Sequence, residues 1–204
     1  PFILNNGKGY LYANSNDTIV AFRGMLNRAN FDFSVPVTYD ANAYFAGWNL
    51  IGNPFVCDAY LADGRDFYVL DSDGDEVVLS ATNSIAPLQG LFVQTETNEN
   101  AISFTTTAPG QGRALNMSVM HGRGASTGSA TTVIDKARIR FGEGRNLEKF
   151  QLNPSHSKLY IPQEGKDYAV LHSEAKGELP INFTAKENGT SLDRKSGSAG
   201  MPRP

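Results

Sequence analysis

Cysteine is almost absent: Cys57 is the only one in 204 residues. The chain can close no disulfide within itself and offers no thiolate set for zinc. No apolar run approaches the roughly 18 residues of a membrane-spanning helix, and no charged-then-apolar leader opens the chain. Membrane insertion is therefore not expected. A basic excess is missing too, with 18 Lys and Arg against 21 Asp and Glu and a formal charge of -3. Nucleic acid is excluded as a partner on that ground, because displacing counterions from phosphates needs a cationic face. Helical periodicity does not persist over any full window.

What is present is the signature of sheets. Hydrophobic residues make up 40% of the chain and charged residues 19%, well outside the regime of disordered sequences. Short runs of β-branched and aromatic residues alternate with clusters of Gly, Asn, Asp and Pro. In the first half the expected strands are Gly9 to Ala13, Thr18 to Met25, Asp32 to Thr38, Trp48 to Ile51, Phe67 to Leu70, Glu76 to Ser80, Gly90 to Thr95 and Ile102 to Thr106. Asp73-Gly74 suits a two-residue hairpin turn, whose central residues both take positive φ. The stretch Thr107-Ala-Pro-Gly-Gln-Gly-Arg113 then reads as a boundary between domains. Beyond it, strands are expected at Ala114 to Met120, Val133 to Phe141, Lys149 to Leu152, Lys158 to Ile161, Tyr168 to His172 and Leu179 to Ala185. The fold class is all-β: two tandem antiparallel β-sandwich-like domains with negligible helix, 1–108 and 113–190, followed by a tail at 191–204.

Certain residues carry a resemblance. Gly47-Trp-Asn-Leu-Ile-Gly-Asn-Pro-Phe55, preceded by Gly9-Tyr-Leu-Tyr12 and Phe22-Arg-Gly-Met-Leu-Asn27 and followed by Ile85-Ala-Pro-Leu-Gln-Gly-Leu-Phe-Val93, resembles a module repeated in surface proteins of Bacteroidetes. Ile134-Asp-Lys-Ala-Arg-Ile-Arg-Phe141, Lys149-Phe-Gln-Leu-Asn153, Lys158-Leu-Tyr160 and Tyr168-Ala-Val170 resemble the β-sandwich that follows it and often precedes a type IX secretion sorting domain. The resemblance spans roughly residues 5 to 190 and implies location rather than chemistry. It attaches no catalytic, cofactor-binding or metal residue and no cofactor to the modules. After Asn188-Gly-Thr190 the chain departs from the family, as it does in the long Gly/Ser/Thr-rich loop at Gly122 to Thr132. Where the family's further strand is missing, an unpaired sheet edge is a template for strand addition. Residues after Thr190 are accordingly expected to be extended and paired, and Pro202 and Pro204 exclude helix there.

Several constellations invite a chemical reading, and each has a plainer one. Gly124-Ala-Ser126-Thr-Gly128 spells a nucleophile elbow with His121 nearby, but a strand-like run follows where an elbow needs a helix. Asp71, Asp73 and Asp75 alternate like the first ligands of a calcium loop. Gly74 is then fourth where such a loop needs its glycine sixth, Thr82 stands at the twelfth position in place of the bidentate glutamate, and a solvated hairpin tip explains the aspartates. Tyr10, Tyr12, Trp48, Tyr60, Phe67 and Tyr68 could stack on sugar rings, yet Trp48, Leu50 and Phe92 read more naturally as core, with Gly47 and Gly52 relieving crowding. His156 and His172 lack partners at metal-ligand spacing, and Asp63/Asp66 and Glu174/Glu178 sit in turns. Asp17-Thr18-Ile19 matches a short O-glycosylation acceptor.

The chain opens at Pro1, directly into apolar residues, and reads as cut from a longer polypeptide. The expected function is a non-catalytic accessory, structural or adhesive module of a larger secreted or outer-membrane cell-surface bacterial protein, partnered by the upstream domains of that polypeptide. The alternative is a carbohydrate- or protein-binding module attached to a surface hydrolase, with a host or dietary glycan or protein as partner. A hydrolase is the third class, and it requires a deep pocket holding perturbed carboxylates or a histidine.

Overall fold

A computed structural model describes residues 3–21, 23–25, 27, 32–71, 74, 76–121, 132–174, 177–186 and 190–195. Among these there is no helix, and the chain is all-β. By compactness it divides into two units, Pro1–Val69 with Ser80–Gly110, and Leu70–Leu79 with Gln111–Pro204.

The first unit is built from short strands: β1 (Phe33–Pro36), β2 (Trp48–Gly52), β3 (Tyr60–Leu61), most of β4 (Tyr68–Leu70), β6 (Gly90–Gln94) and β7 (Ala101–Thr105). One sheet has the order β1-β7-β3, and in another β2, β6 and β4 are successive neighbours. Both send alternate residues into one core, Val35, Ile102, Phe104 and Leu61 from the first sheet and Ile51, Leu91 and Val93 from the second. The period of two explains the choice of face.

That period also corrects the expected core. Leu50 pairs with Phe92 while Ile51 pairs with Leu91, so adjacent residues point to opposite faces. It is Ile51, only 2% exposed, that enters the cluster. Trp48 and Leu50 are half-buried on the other face, where Phe92 is buried and Trp48 meets Tyr68 edge-on at 5.7 Å. The expected strands Gly9 to Ala13 and Thr18 to Met25 do not form among the described residues. There the chain makes only an isolated bridge, Lys8 with Ile51, and Leu11, Tyr12, Ile19 and Met25 stay exposed. Composition favoured strands, but those stretches lack the ladder partners that a strand requires.

The second unit holds β5 (Val77–Leu79), β8 (Ala114–His121), β9 (Thr132–Phe141), β10 (Leu147–Glu148), β11 (Lys158–Gln163), β12 (Lys166–Ser173), β13 (Asn182–Thr184) and β14 (Thr190–Lys195). The strand expected at Lys149 to Leu152 is displaced to β10, which pairs with β12. The main sheet runs β13-β11-β12-β9-β8-β14. Its β12-β9 pair is parallel, Val170 opposite Arg138 through Ser173 opposite Phe141, which corrects the all-antiparallel expectation. Residues 142–165, with β10 and β11, supply the long crossover that parallel pairing demands.

The sheet cannot be flat. Five strand spacings of about 4.8 Å would separate β13 from β14 by about 24 Å, and Thr184 and Thr190 are joined by only residues 185–189, whose reach is at most about 20 to 22 Å. It folds over instead: Met117, Val119, Ala137 and Ile139 share one core with Leu159, Ile161 and Leu171. The extended pairing expected after Thr190 is found at β14, which lies antiparallel on β8 from Thr190 opposite His121 to Lys195 opposite Asn116. Residues 196–204 lie outside the described residues.

Candidate functional site

The two stretches that carry the resemblance are strand partners. Trp48 to Gly52 pairs with Gln94 to Gly90 residue by residue, so Asn49, second in β2, and Asn53, just after it, come to lie near the two ends of the β2-β6 ladder. Asn49 brackets one end. Its Nδ2 donates to the carbonyls of Thr38 (2.8 Å) and Gly47 (3.2 Å), and its Oδ1 accepts from the Thr38 amide at 3.0 Å. The Thr95 hydroxyl adds a bond to the Gly47 carbonyl at 2.9 Å. Gly47 itself has φ +76, and a Cβ there would come within 2.6 Å of the Thr95 carbonyl. This position needs glycine twice over, for backbone conformation and for space. Gly52, by contrast, has only ordinary contacts, the nearest at 3.5 Å, so the expected crowding there is not found.

Asn53 brackets the other end. This buried side chain donates to the carbonyls of Cys57 (2.9 Å), Ile85 (2.8 Å) and Ala86 (3.0 Å), and accepts from the Phe55 amide at 2.9 Å. One amide thus satisfies backbone groups of two loops that have no ladder of their own. The Gln89 side chain accepts from the Ala86 amide at 2.9 Å, beside Leu88 held at φ 63.

The six aromatics considered for sugar stacking do not form one exposed row. Phe67 and Tyr68 are buried, Trp48 and Tyr60 half-buried, and Tyr10 and Tyr12 exposed. The exposed aromatic group lies instead in the turn before β2, where Tyr44 is 86% exposed, meets the Phe45 ring at 4.7 Å, and is accompanied by exposed Tyr39. Asn42 and Asp40 form a polar turn between them.

Buried charge occurs in both units. In the first, the Arg65 guanidinium is enclosed by Asp63 at 2.5 Å, Glu99 and the Gln94 carbonyl at 3.0 Å. Burial opposes that charge, but bonds to Glu99 and Asp63 outweigh it and raise Arg65 above its usual value. Asp63 is thus bonded to Arg65, and Asp66 is buried. In the second unit Asp135 accepts from Lys149 at 2.5 Å through each oxygen and from the amides of Leu159 (2.7 Å) and Lys136 (2.8 Å). Desolvation pulls Lys149 below the ordinary lysine value despite the attraction of Asp135. In the same unit, buried Glu76 accepts from the amides of Leu152 (2.8 Å) and Asn153 (2.9 Å) and contacts His156 Nδ1 at 3.1 Å. These bonds tie the segments around Lys149, Leu152 and Asn153 to the carboxylates of Asp135 and Glu76.

His172 lies with its ring against Gly144, and Glu174 and Glu178 are exposed. Ser126 and its neighbours lie outside the described residues, as do Asp73 and Asp75, the latter two members of the considered calcium triad. Asp71 accepts from the Glu76 amide at 3.4 Å, and Gly74 has φ +77. Among the described residues no three His, Cys, Asp or Glu side chains gather as metal ligands, and no helix is long and apolar enough to cross a membrane. No protein-family model, curated protein or solved structure matches the chain.

Proposed function

We propose that the chain is a non-catalytic accessory module of a larger secreted or outer-membrane cell-surface bacterial protein, one that spaces or presents neighbouring domains. The observation that carries this reading is the use made of the motif residues. Gly47, Asn49 and Asn53, which stand out in the sequence, are consumed in closing the two ends of the β2-β6 ladder. Residues kept for chemistry would present free polar atoms to a cleft. Antibodies against this chain, applied to intact cells producing the parent protein, test the location: label on unbroken cells or in the medium is expected, and label only after lysis overturns it. Turnover of peptide, glycoside or ester substrates by the purified chain would overturn the non-catalytic part.

One observation favours the second reading, a carbohydrate- or protein-binding module. The exposed Tyr39, Tyr44 and Phe45 beside Asp40 and Asn42 offer ring faces and polar groups together, as sugar recognition requires. Retardation in gels containing soluble polysaccharide, lost in Tyr44→Ala, would establish it.

A further inference from the structure

The two edge strands of the second unit run in the same direction. β13 is antiparallel to β11, β11 to β12, β9 to β8 and β8 to β14, while β12 and β9 are parallel. Four reversals leave β13 and β14 parallel, so the chain must return from the end of one to the beginning of the other. Such a return ordinarily takes a dozen residues or more. Here it has five, 185–189.

The registers sharpen the constraint. Thr184 is level with Lys158, and continuing the Ile161-Tyr168 register brings Lys158 level with Leu171. Leu171 is level with Ile139, and Ile139 with Leu115. Thr190, however, pairs with His121, at the far end of β8 and about 20 Å further along it. A fully extended link would reach about that distance and no more, so the return depends on the curl of the sheet and has little length to spare.

A short hinge feeding an edge strand favours exchange between identical chains, because the partner's edge offers the same pairing without the tight return. We propose that residues 190–195 exchange between two copies of this chain, each β8 edge taking β14 of the other. The partner is fixed by the register, since six consecutive pairs, from Thr190 opposite His121 to Lys195 opposite Asn116, already fit this edge to this segment.

The test uses the full chain with Cys57→Ser, Ser118→Cys and Asp193→Cys, the last two being register partners. Disulfide formation across this pair links one chain to itself or two chains to each other, and a non-reducing denaturing gel separates the outcomes. A covalent dimer whose share rises with the protein concentration before oxidation is expected, and a four-residue Gly/Ser insertion after Asn188 is expected to lower that share severalfold. Linked monomer alone at every concentration overturns the proposal, as does a dimer share indifferent to the insertion. Absence of any link from this pair and from a second pair, Asn116→Cys with Lys195→Cys, also overturns it by removing the pairing on which it rests.

Discussion

The two units close their structures by different means. In the first, the strands of the β2-β6 and β1-β7 ladders are four or five residues long, and loops bear much of the backbone. Side-chain amides take up the loop groups: Asn49 and Asn53 alone serve Thr38, Gly47, Phe55, Cys57, Ile85 and Ala86. In the second, β8 and β9 form a ladder running from Ala114 opposite Arg140 to His121 opposite Thr132, and the backbone largely satisfies itself. Its loops are pinned by buried carboxylates, Asp135 on Lys149 and Glu76 on the amides of Leu152 and Asn153. Both units bury ions, Arg65 with Asp63 and Glu99 in the first, but where ladders are short neutral side-chain amides also take over the backbone groups of the loops.

The largest expected effect breaks the second of these devices. Asp135→Ala strands the Lys149 ammonium and the Leu159 amide, and should cost about 3 to 5 kcal/mol. Denaturant unfolding measures it; replacing both partners, Asp135→Leu with Lys149→Met, should recover most of the loss. Asn53→Ala attacks the first device and leaves several buried loop groups unbonded, so about 2 to 4 kcal/mol is expected from the same measurement. Gly47→Ala forces a side chain into positive φ against the Thr95 carbonyl and should cost about 1 to 3 kcal/mol, read as a lowered thermal midpoint. Trp48→Ala should fall below the roughly 3 to 5 kcal/mol of a fully buried aromatic, because half-burial leaves less area to lose.

The smallest effect is one of pH. Burial holds Lys149 below its unfolded value of 10.5, so in alkaline solution the unfolded chain binds more protons than the folded one. Stability should therefore rise with pH through the folded value and up to 10.5, relative to Lys149→Met, which lacks this dependence. Parallel curves for the two proteins would contradict the assignment.

Much of the sheet structure could be read in advance where alternation was sustained. β8, β9, β11 and β12 combine length with period-two patterning, and they appear close to where that pattern places them. Thr18 to Met25 has equally strand-like composition and no ladder among its described residues, because pairing depends on an edge that local sequence does not specify. β3 is two residues long, too short for a period to register. The grouping of Leu70–Leu79 with the second unit left no compositional mark at all. Of the buried polar groups, Asn53 lies in a stretch that stood out in the sequence, whereas Asp135, on the inward face of β9 with Ala137 and Ile139, carried no signal that set it apart. Its partner Lys149 and the anchor Glu76 lie in irregular segments, where no periodicity marks inside from outside.

The antiparallel fit of β14 on β8 also fixes how the second unit answers to force. Asn116, near the start of β8, is opposite Lys195, at the end of β14, so the chain enters and leaves this pair at the same end. Tension applied between residues 113 and 195 would load the pair by peeling, one bond after another, not by shearing all of them at once. A module strung between neighbouring domains through these points would yield gradually under modest pull, releasing the length of β14 as slack while β8 remains paired with β9.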